Sequence, residues 1–276
     1  MKKLLCIMMS VLMVFGMLAL TACSDNNKPA DTTAADTTAT DTTAAPAPEA
    51  DPEDLPVLKM GTNAYFQPYE YYEGEKIIGI DAEIAEAIAK KLGMKLEIKD
   101  MAFDSIISAV NAGDVDFGMA GMTVTEKRLL EVDFSISYAS GVQSIIVKDG
   151  SPITKYEDLA AEGATYKIGT QLGTTGDIYC GDEFGADRVT SYATGNEAVV
   201  ALLAGDVDCV IIDNEPAKAF VNANAGLKIL ETAYAEEDYA ICVKKGNAEL
   251  LEKIDTAIKA LIADGTVDSI IDKYIK

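Results

Sequence analysis

Hydrophobic positions along the chain fall into three regimes. Leu4 to Leu20 is one apolar run, broken only by Ser10 and Gly16. Ser24 to Leu55 contains no aromatic residue and repeats Asp-Thr-Thr-Ala at positions 31, 36 and 41. From Pro56 onward, stripes at helical spacing alternate with short apolar runs. Ile84, Ala87, Ile88 and Leu92 share one face of a helix spanning Asp81 to Leu92, with Asp81 placed as N-cap and Gly93 ending it. Ile106, Ile107 and Val110 form a second stripe; Val199, Val200, Leu202 and Leu203 form a third. Two closing helices follow, one carrying Leu250, Leu251, Ile254, Ile258 and Leu261, the other Val267, Ile270, Ile271 and Tyr274.

Two motifs occur twice in this body, in the same order. Lys59-Met-Gly-Thr-Asn63 returns as Lys167-Ile-Gly-Thr-Gln171, and Ala112-Gly-Asp-Val-Asp116 returns as Ala204-Gly-Asp-Val-Asp208. Each copy of the second motif follows a helical stripe and leads into an apolar run, Phe117 to Ala120 or Cys209 to Ile212. The glycine ends the helix and the run reads as a buried strand. Each half therefore reads strand, helix, strand, the order of a parallel α/β sheet. Two similar α/β lobes imply a cleft, and in such sheets ligands sit beyond the carboxyl ends of the strands.

That rule selects four segments: Asn63 to Tyr72, Ala120 to Arg128, Gly169 to Asp177, and Ile212 to Pro216. The first carries five of the chain's nineteen aromatic residues, a patch suited to flanking an apolar or planar ligand part. The second ends on Arg128, one of two arginines, whose fork suits bidentate carboxylate binding in a way lysine does not reproduce. The third is a Gly/Thr loop entering a helix, with free N–H groups that suit an anion but without the Gly-Lys-Ser/Thr ending of a phosphate-binding loop. The fourth places Asp213 at a strand end, where it would accept from a cationic group. An arginine on one lobe and an acid on the other match the two charged ends of an α-amino acid. Against this stand plainer readings: a lobe edge packing its rings on itself, and a surface arginine on a helix capped by Thr125.

Composition removes several alternatives. With 23 basic and 45 acidic residues the net charge is −22, which disfavours nucleic acid as a partner. There is no histidine, so a Ser/His/Asp or Cys/His triad and any imidazole metal site are excluded. Cys180, Cys209 and Cys242 form no Cys-x-x-Cys pair, and their odd number leaves at least one thiol free. Cys209 and Cys242 sit in apolar runs and read as buried, inert thiols. No cofactor and no metal is expected.

Lys2 and Lys3 before the apolar run, and small residues after it, read as a secretory signal; the run is short for a membrane span. Its end, Leu20-Thr-Ala-Cys23, resembles the lipobox of bacterial lipoproteins. That resemblance implies removal of residues 1–22 and acylation of Cys23, palmitate included, which tethers the chain to a membrane. Residues 23–55 then form an acidic Thr/Ala/Pro spacer; Ser24 to Leu55 holds eight acids against Lys28 and is too poor in apolar side chains to fold. The folded body is Pro56 to Lys276.

An ordered set of strings carries a wider resemblance: Gly61-Thr-Asn63, Pro68-Tyr-Glu-Tyr71, Gly79-Ile-Asp81, Gly121-Met-Thr-Val-Thr-Glu-Lys-Arg128, Val132-Asp-Phe-Ser135, Gln171-Leu-Gly-Thr-Thr175 and Ala263-Asp-Gly-Thr266. Together they make the body similar to the family 3 solute-binding proteins of ATP-binding cassette transporters for amino acids. The resemblance implies a two-lobed α/β fold of the periplasmic-binding-protein type, each lobe a mainly parallel sheet flanked by helices, joined by two crossing hinge strands. Lobe 1 is expected at 56–139 plus 240–276 and lobe 2 at 143–235. Ligand contacts carry over to Asn63, Phe66, Phe103, Ala120, Gly121, Thr123, Arg128, Gln171, Thr174, Thr175 and Asp213. Arg128, helped by Thr123 and the Thr174–Thr175 loop, would hold the α-carboxylate. Asp213 and the Gly121 carbonyl would hold the α-ammonium, and Phe66 and Phe103 would flank the side chain. Many relatives have Asp at the position of Asn63; the neutral amide leans toward a polar, uncharged side chain. The implied protein is a monomer at the cell surface or in the periplasm, delivering a free amino acid to a permease. The competing reading is an exported dehydratase-like enzyme on the same fold, with Glu215, Glu70 or Lys218 as its acid and base.

Overall fold

The computed structural model describes residues 54–231 and 234–275. The signal segment, Cys23 and the spacer up to residue 53 lie outside the described residues. The body is built on two sheets, each the floor of one lobe.

In the first sheet the strands run in the order Lys95–Asp100, Val57–Thr62, Phe117–Gly118, Cys242–Lys244, Val132–Phe134. The first three are mutually parallel, and Cys242–Lys244 is the one reversed strand. The second sheet has the order Val189–Tyr192, Ile168–Gln171, Cys209–Asp213, Ala139–Lys148, Leu227–Ile229, with Ala235–Tyr239 also pairing to Ala139–Lys148. Its one reversed strand is Ala139–Lys148. Each reversed strand is thus the one that has just arrived from the other lobe. The two connections run antiparallel, Ala139 opposite Tyr239 and Gln143 opposite Ala235. A small three-stranded sheet, Tyr65–Phe66, Glu70–Glu73 and Lys76–Ile78, lies in the sequence between the first strand of lobe 1 and its first helix.

The repeated motifs occupy equivalent places for a common reason. The Lys59 N–H donates to Asp116 Oδ2 and the Lys167 N–H donates to Asp208 Oδ2, each at 2.7 Å. The last acid of Ala-Gly-Asp-Val-Asp therefore locks the start of the strand that carries Lys-x-Gly-Thr. Its glycine ends the preceding helix in the left-handed region, φ 83° at Gly113 and 89° at Gly205, where a side chain would be strained. Helices Ala248–Ala263 and Thr266–Tyr274 close the chain with Ile254, Ile258, Leu261 and Val267 buried. Cys180, Cys209 and Cys242 are buried free thiols, and burial pushes the Cys180 and Cys242 thiols up to about 12.

Two expectations are corrected. The first helix spans Ile80–Lys91 with Gly79 as N-cap, so Asp81 is no cap. Its carboxylate turns inward because Oδ2 accepts from the Gly121 N–H and the Tyr138 hydroxyl, each at 2.8 Å. The run Phe117 to Ala120 is a strand only over Phe117–Gly118, since the chain leaves the sheet there to form the cleft wall.

Candidate ligand-binding site

The carboxyl ends of both sheets border one narrow, shut cleft. All eleven residues assigned by resemblance line it, and Glu70 joins them. Asn63 follows directly on the strand ending at Thr62, and its loop is fixed by the Ala64 N–H donating to Asp100 Oδ1 at 2.9 Å. Across the cleft Gln171 ends its own strand, the equivalent place in the repeat, and its Nε2 donates to Asn63 Oδ1 at 2.9 Å. Asn63 Nδ2 in turn donates to the Met101 carbonyl at 2.8 Å.

Arg128 lies on the short helix Glu126–Leu129, where Thr125 Oγ1 accepts its backbone N–H at 3.2 Å, as the capping reading anticipates. The reading as a surface arginine fails: the side chain is 5% exposed. Nη1 donates to the Thr123 carbonyl at 2.7 Å, Nη2 reaches across to the Gly173 carbonyl of lobe 2 at 3.0 Å, and the guanidinium lies 5.3 Å from the Phe103 ring centre. A guanidinium has five N–H donors, so three remain for a ligand. Burial lowers its pKa from the ordinary arginine value, yet no acid forms an ion pair with it among the described residues. Among the described residues lining the cleft, it is the one cation.

Asp213 is the last residue of its strand and is 6% exposed. Gln143 Nε2 donates to it at 2.7 Å and to Glu237 Oε2 at 2.9 Å, while the Tyr239 hydroxyl also donates to Asp213. Glu237 Oε2 accepts from the Thr123 hydroxyl at 3.0 Å as well. Burial first, then the neighbouring Glu237 charge, push the Asp213 carboxyl well above the usual carboxylate range. Thr174 caps the helix Thr175–Phe184, Thr175 sits in its first turn, and both face the cleft. Phe66 and Phe103 supply apolar wall, while Ala120 and Gly121 supply backbone.

Gln143, Glu237 and Tyr239 were missed by the sequence reading. All three sit on the crossing strands, and Glu236-Glu237-Asp238 reads as polar surface. The available signal was the alternation of Ala235–Tyr239, in which positions 237 and 239 are buried.

Two sheets with facing carboxyl ends, joined by crossing strands around a buried cleft, define a two-lobed α/β binding fold. The chain belongs to the bacterial extracellular solute-binding proteins, family 3, which it matches over residues 58–276. It is 32% identical over 226 residues to the arginine-binding extracellular protein ArtP of Bacillus subtilis, covering 79% of this chain and 85% of that one. It is 32% identical over 204 residues to the glutamine-binding protein GlnH of the same organism's ABC transporter, covering 73% and 74%. The solved structure of an ancestral arginine-binding protein bound to glutamine superposes with a TM-score of 0.74 at 41% identity, covering 79% of this chain and 97% of that one.

Proposed function

We propose that this protein is an extracytoplasmic binding lipoprotein that captures a free, polar α-amino acid and delivers it to an ATP-binding cassette permease. The observation that carries this is one buried guanidinium and one buried carboxylate, Arg128 and Asp213, on opposite lobes of a single cleft. The three free N–H groups of Arg128 take the α-carboxylate, with Thr123 and the N–H groups around Thr174 and Thr175. Asp213 and the Gly121 carbonyl take the α-ammonium, and Phe66 and Phe103 flank the side chain. The neutral amide of Asn63, already bonded to Gln171, favours an uncharged polar side chain. Lobe 1 comprises 56–139 plus 240–276, lobe 2 143–235, and ligand closes one on the other.

Both charged ends of the ligand are bound and nothing is transformed, so the protein is not an enzyme. Of the three residues considered as acid and base for a dehydratase, Glu215 and Lys218 are bonded to each other at 2.6 Å and do not line the cleft, whereas Glu70 does. The mature chain begins at Cys23, whose acyl groups hold a monomer at the cell surface or in the periplasm. A thermal-shift screen of the twenty amino acids plus cystine tests this reading. A ligand at a hundred times its Kd adds about 2.7 kcal/mol. One or a few polar amino acids are expected to raise Tm, and a flat screen refutes the proposal.

A further inference from the structure

Gln143 and Glu237 do not line the cleft, yet both bond to residues that do. They lie on the two crossing strands, and their exposures are only 1% and 6%. Gln143 is the register partner of Asp213 in the second sheet. Its Nε2 donates to Asp213 Oδ2 at 2.7 Å and to Glu237 Oε2 at 2.9 Å. Only the NH2 end of an amide can face two acids, so its orientation is fixed. On the side of lobe 1, Thr123 lies opposite Tyr239 of the other crossing strand. The Val124 N–H donates to the Asp238 carbonyl at 3.1 Å and the Ala240 N–H to the Met122 carbonyl at 3.0 Å, which holds it there. The Thr123 hydroxyl donates to the same Glu237 Oε2 at 3.0 Å.

One oxygen atom on the hinge thus receives a donor from each lobe. A hydroxyl has a single proton, so giving it to Glu237 leaves Thr123 only lone pairs to offer the cleft. The Thr123 carbonyl accepts from Arg128 Nη1 at 2.7 Å, so the residue is fixed at both polar groups, and Glu237 supplies one of the two fixings. Glu237 Oε1, by contrast, meets no donor among the described residues. The Glu237 charge also acts at a distance. After burial it is the strongest influence on Arg128, whose charged form it favours, and on Asp213, whose charged form it opposes.

We propose that Glu237 is a positioning residue of the site: through Oε2 it fixes Thr123 against Gln143 and Asp213 across the hinge, so that the groups offered by the two lobes meet the ligand already aligned. This rests on the amino-acid reading above and adds a residue that itself touches no ligand. The reach of its carboxyl oxygen carries the effect. Its charge does not, since removing that charge would help one pole of the cleft as it harms the other.

Two variants separate reach from charge. Glu237→Gln keeps an oxygen in the place of Oε2 and puts its NH2 in the place of Oε1, where no donor stands against it. Glu237→Asp keeps the charge but falls one methylene short of Thr123 and Gln143. Calorimetry is run on both, alone and combined with Thr123→Val, after circular dichroism has established folding. The probe is L-glutamine, or whichever of the twenty amino acids the thermal-shift screen selects. Glu237→Gln is expected to bind within about threefold of the unsubstituted protein, and Glu237→Asp about tenfold more weakly. In Thr123→Val the same Glu237→Asp change should cost less than about threefold, because the contact it breaks is already gone. Unchanged affinity in Glu237→Asp would mean that the residue serves the fold alone and overturns the proposal. So does Glu237→Gln binding as weakly as Glu237→Asp, which would make charge the agent, or an undiminished loss in Thr123→Val. Should Glu237→Asp fail to fold, Gln143→Met replaces it, with a loss of about tenfold expected and unchanged affinity overturning the proposal. An unsubstituted protein that binds none of the twenty amino acids would instead overturn the function itself.

Discussion

Replacing Arg128 with alanine removes the cleft's cation and leaves the rest of its wall in place. The guanidinium is fixed from three sides, by the Thr123 carbonyl at 2.7 Å, the Gly173 carbonyl at 3.0 Å and the Phe103 ring at 5.3 Å. Thr123 and Phe103 lie on its own lobe, so these two contacts preorganise it before the lobes close, and little ordering cost is incurred when a ligand carboxylate arrives. A charge-assisted hydrogen bond contributes about 1.5–3 kcal/mol, and each 1.4 kcal/mol is about tenfold in Kd. Losing one such contact weakens binding about tenfold to a hundredfold, and losing a bidentate pair weakens it further. Arg128→Lys keeps the charge but not the fork, and should fall between alanine and the unsubstituted protein. The control is Arg188→Ala. Arg188 is bonded to the Tyr166 and Leu159 carbonyls at 3.0 and 2.9 Å and lies over Phe184, all within lobe 2. Its removal should lower Tm while leaving Kd unchanged. Calorimetry on the three variants, after circular dichroism has established folding, gives the answer. Equal, small losses for Arg128→Ala and Arg188→Ala would mean that bulk charge attracts the ligand, and the built carboxylate site would be refuted.

Other consequences are open to direct measurement. Cys23→Ser should release the mature protein from the membrane fraction without altering affinity; a processed, acylated Cys23→Ser species still in the membrane would contradict the tether. Ligand should lower the radius of gyration in small-angle scattering, because Arg128–Gly173 and Asn63–Gln171 are contacts of the shut cleft. An unchanged radius at saturation would argue against closure. Gly141→Ala, on a crossing strand, would drive a methyl group into the buried Tyr239 ring. Overpacking of this kind costs about 1–3 kcal/mol, and each kcal/mol lowers Tm by about 2–4 °C in a body of this size. An unaltered Tm would show that the hinge has room to spare.

The duplicated motifs were legible because each encodes a local event with its own physics: a glycine that ends a helix, and an acid that locks the start of a strand. Arg128 and Asp213 were legible for a related reason, since strand ends and their loops follow from the repeat. The acids behind them were not. Glu237 is buried only because Ala235–Tyr239 pairs with a strand nearly a hundred residues earlier, a fact absent from any local window. Asp81 looked like a helix cap because caps are local, whereas its partners Gly121 and Tyr138 come from distant segments. Glu70 was noticed only as an acid near the cleft. That neither of its carboxyl oxygens finds a donor among the described residues is a property of the assembled wall, and no string of residues encodes it.

The central claim is that the cleft grips an α-amino acid by both of its charged ends. The most direct test takes the best ligand from the thermal-shift screen and measures, by competition calorimetry, its α-carboxamide and its Nα-acetyl forms. Each modification neutralises one end and leaves the side chain intact. Each is expected to weaken binding at least about a hundredfold, the carboxamide by stranding Arg128 and the acetyl form by stranding Asp213. Either blocked form binding within about threefold of the free amino acid would contradict the account.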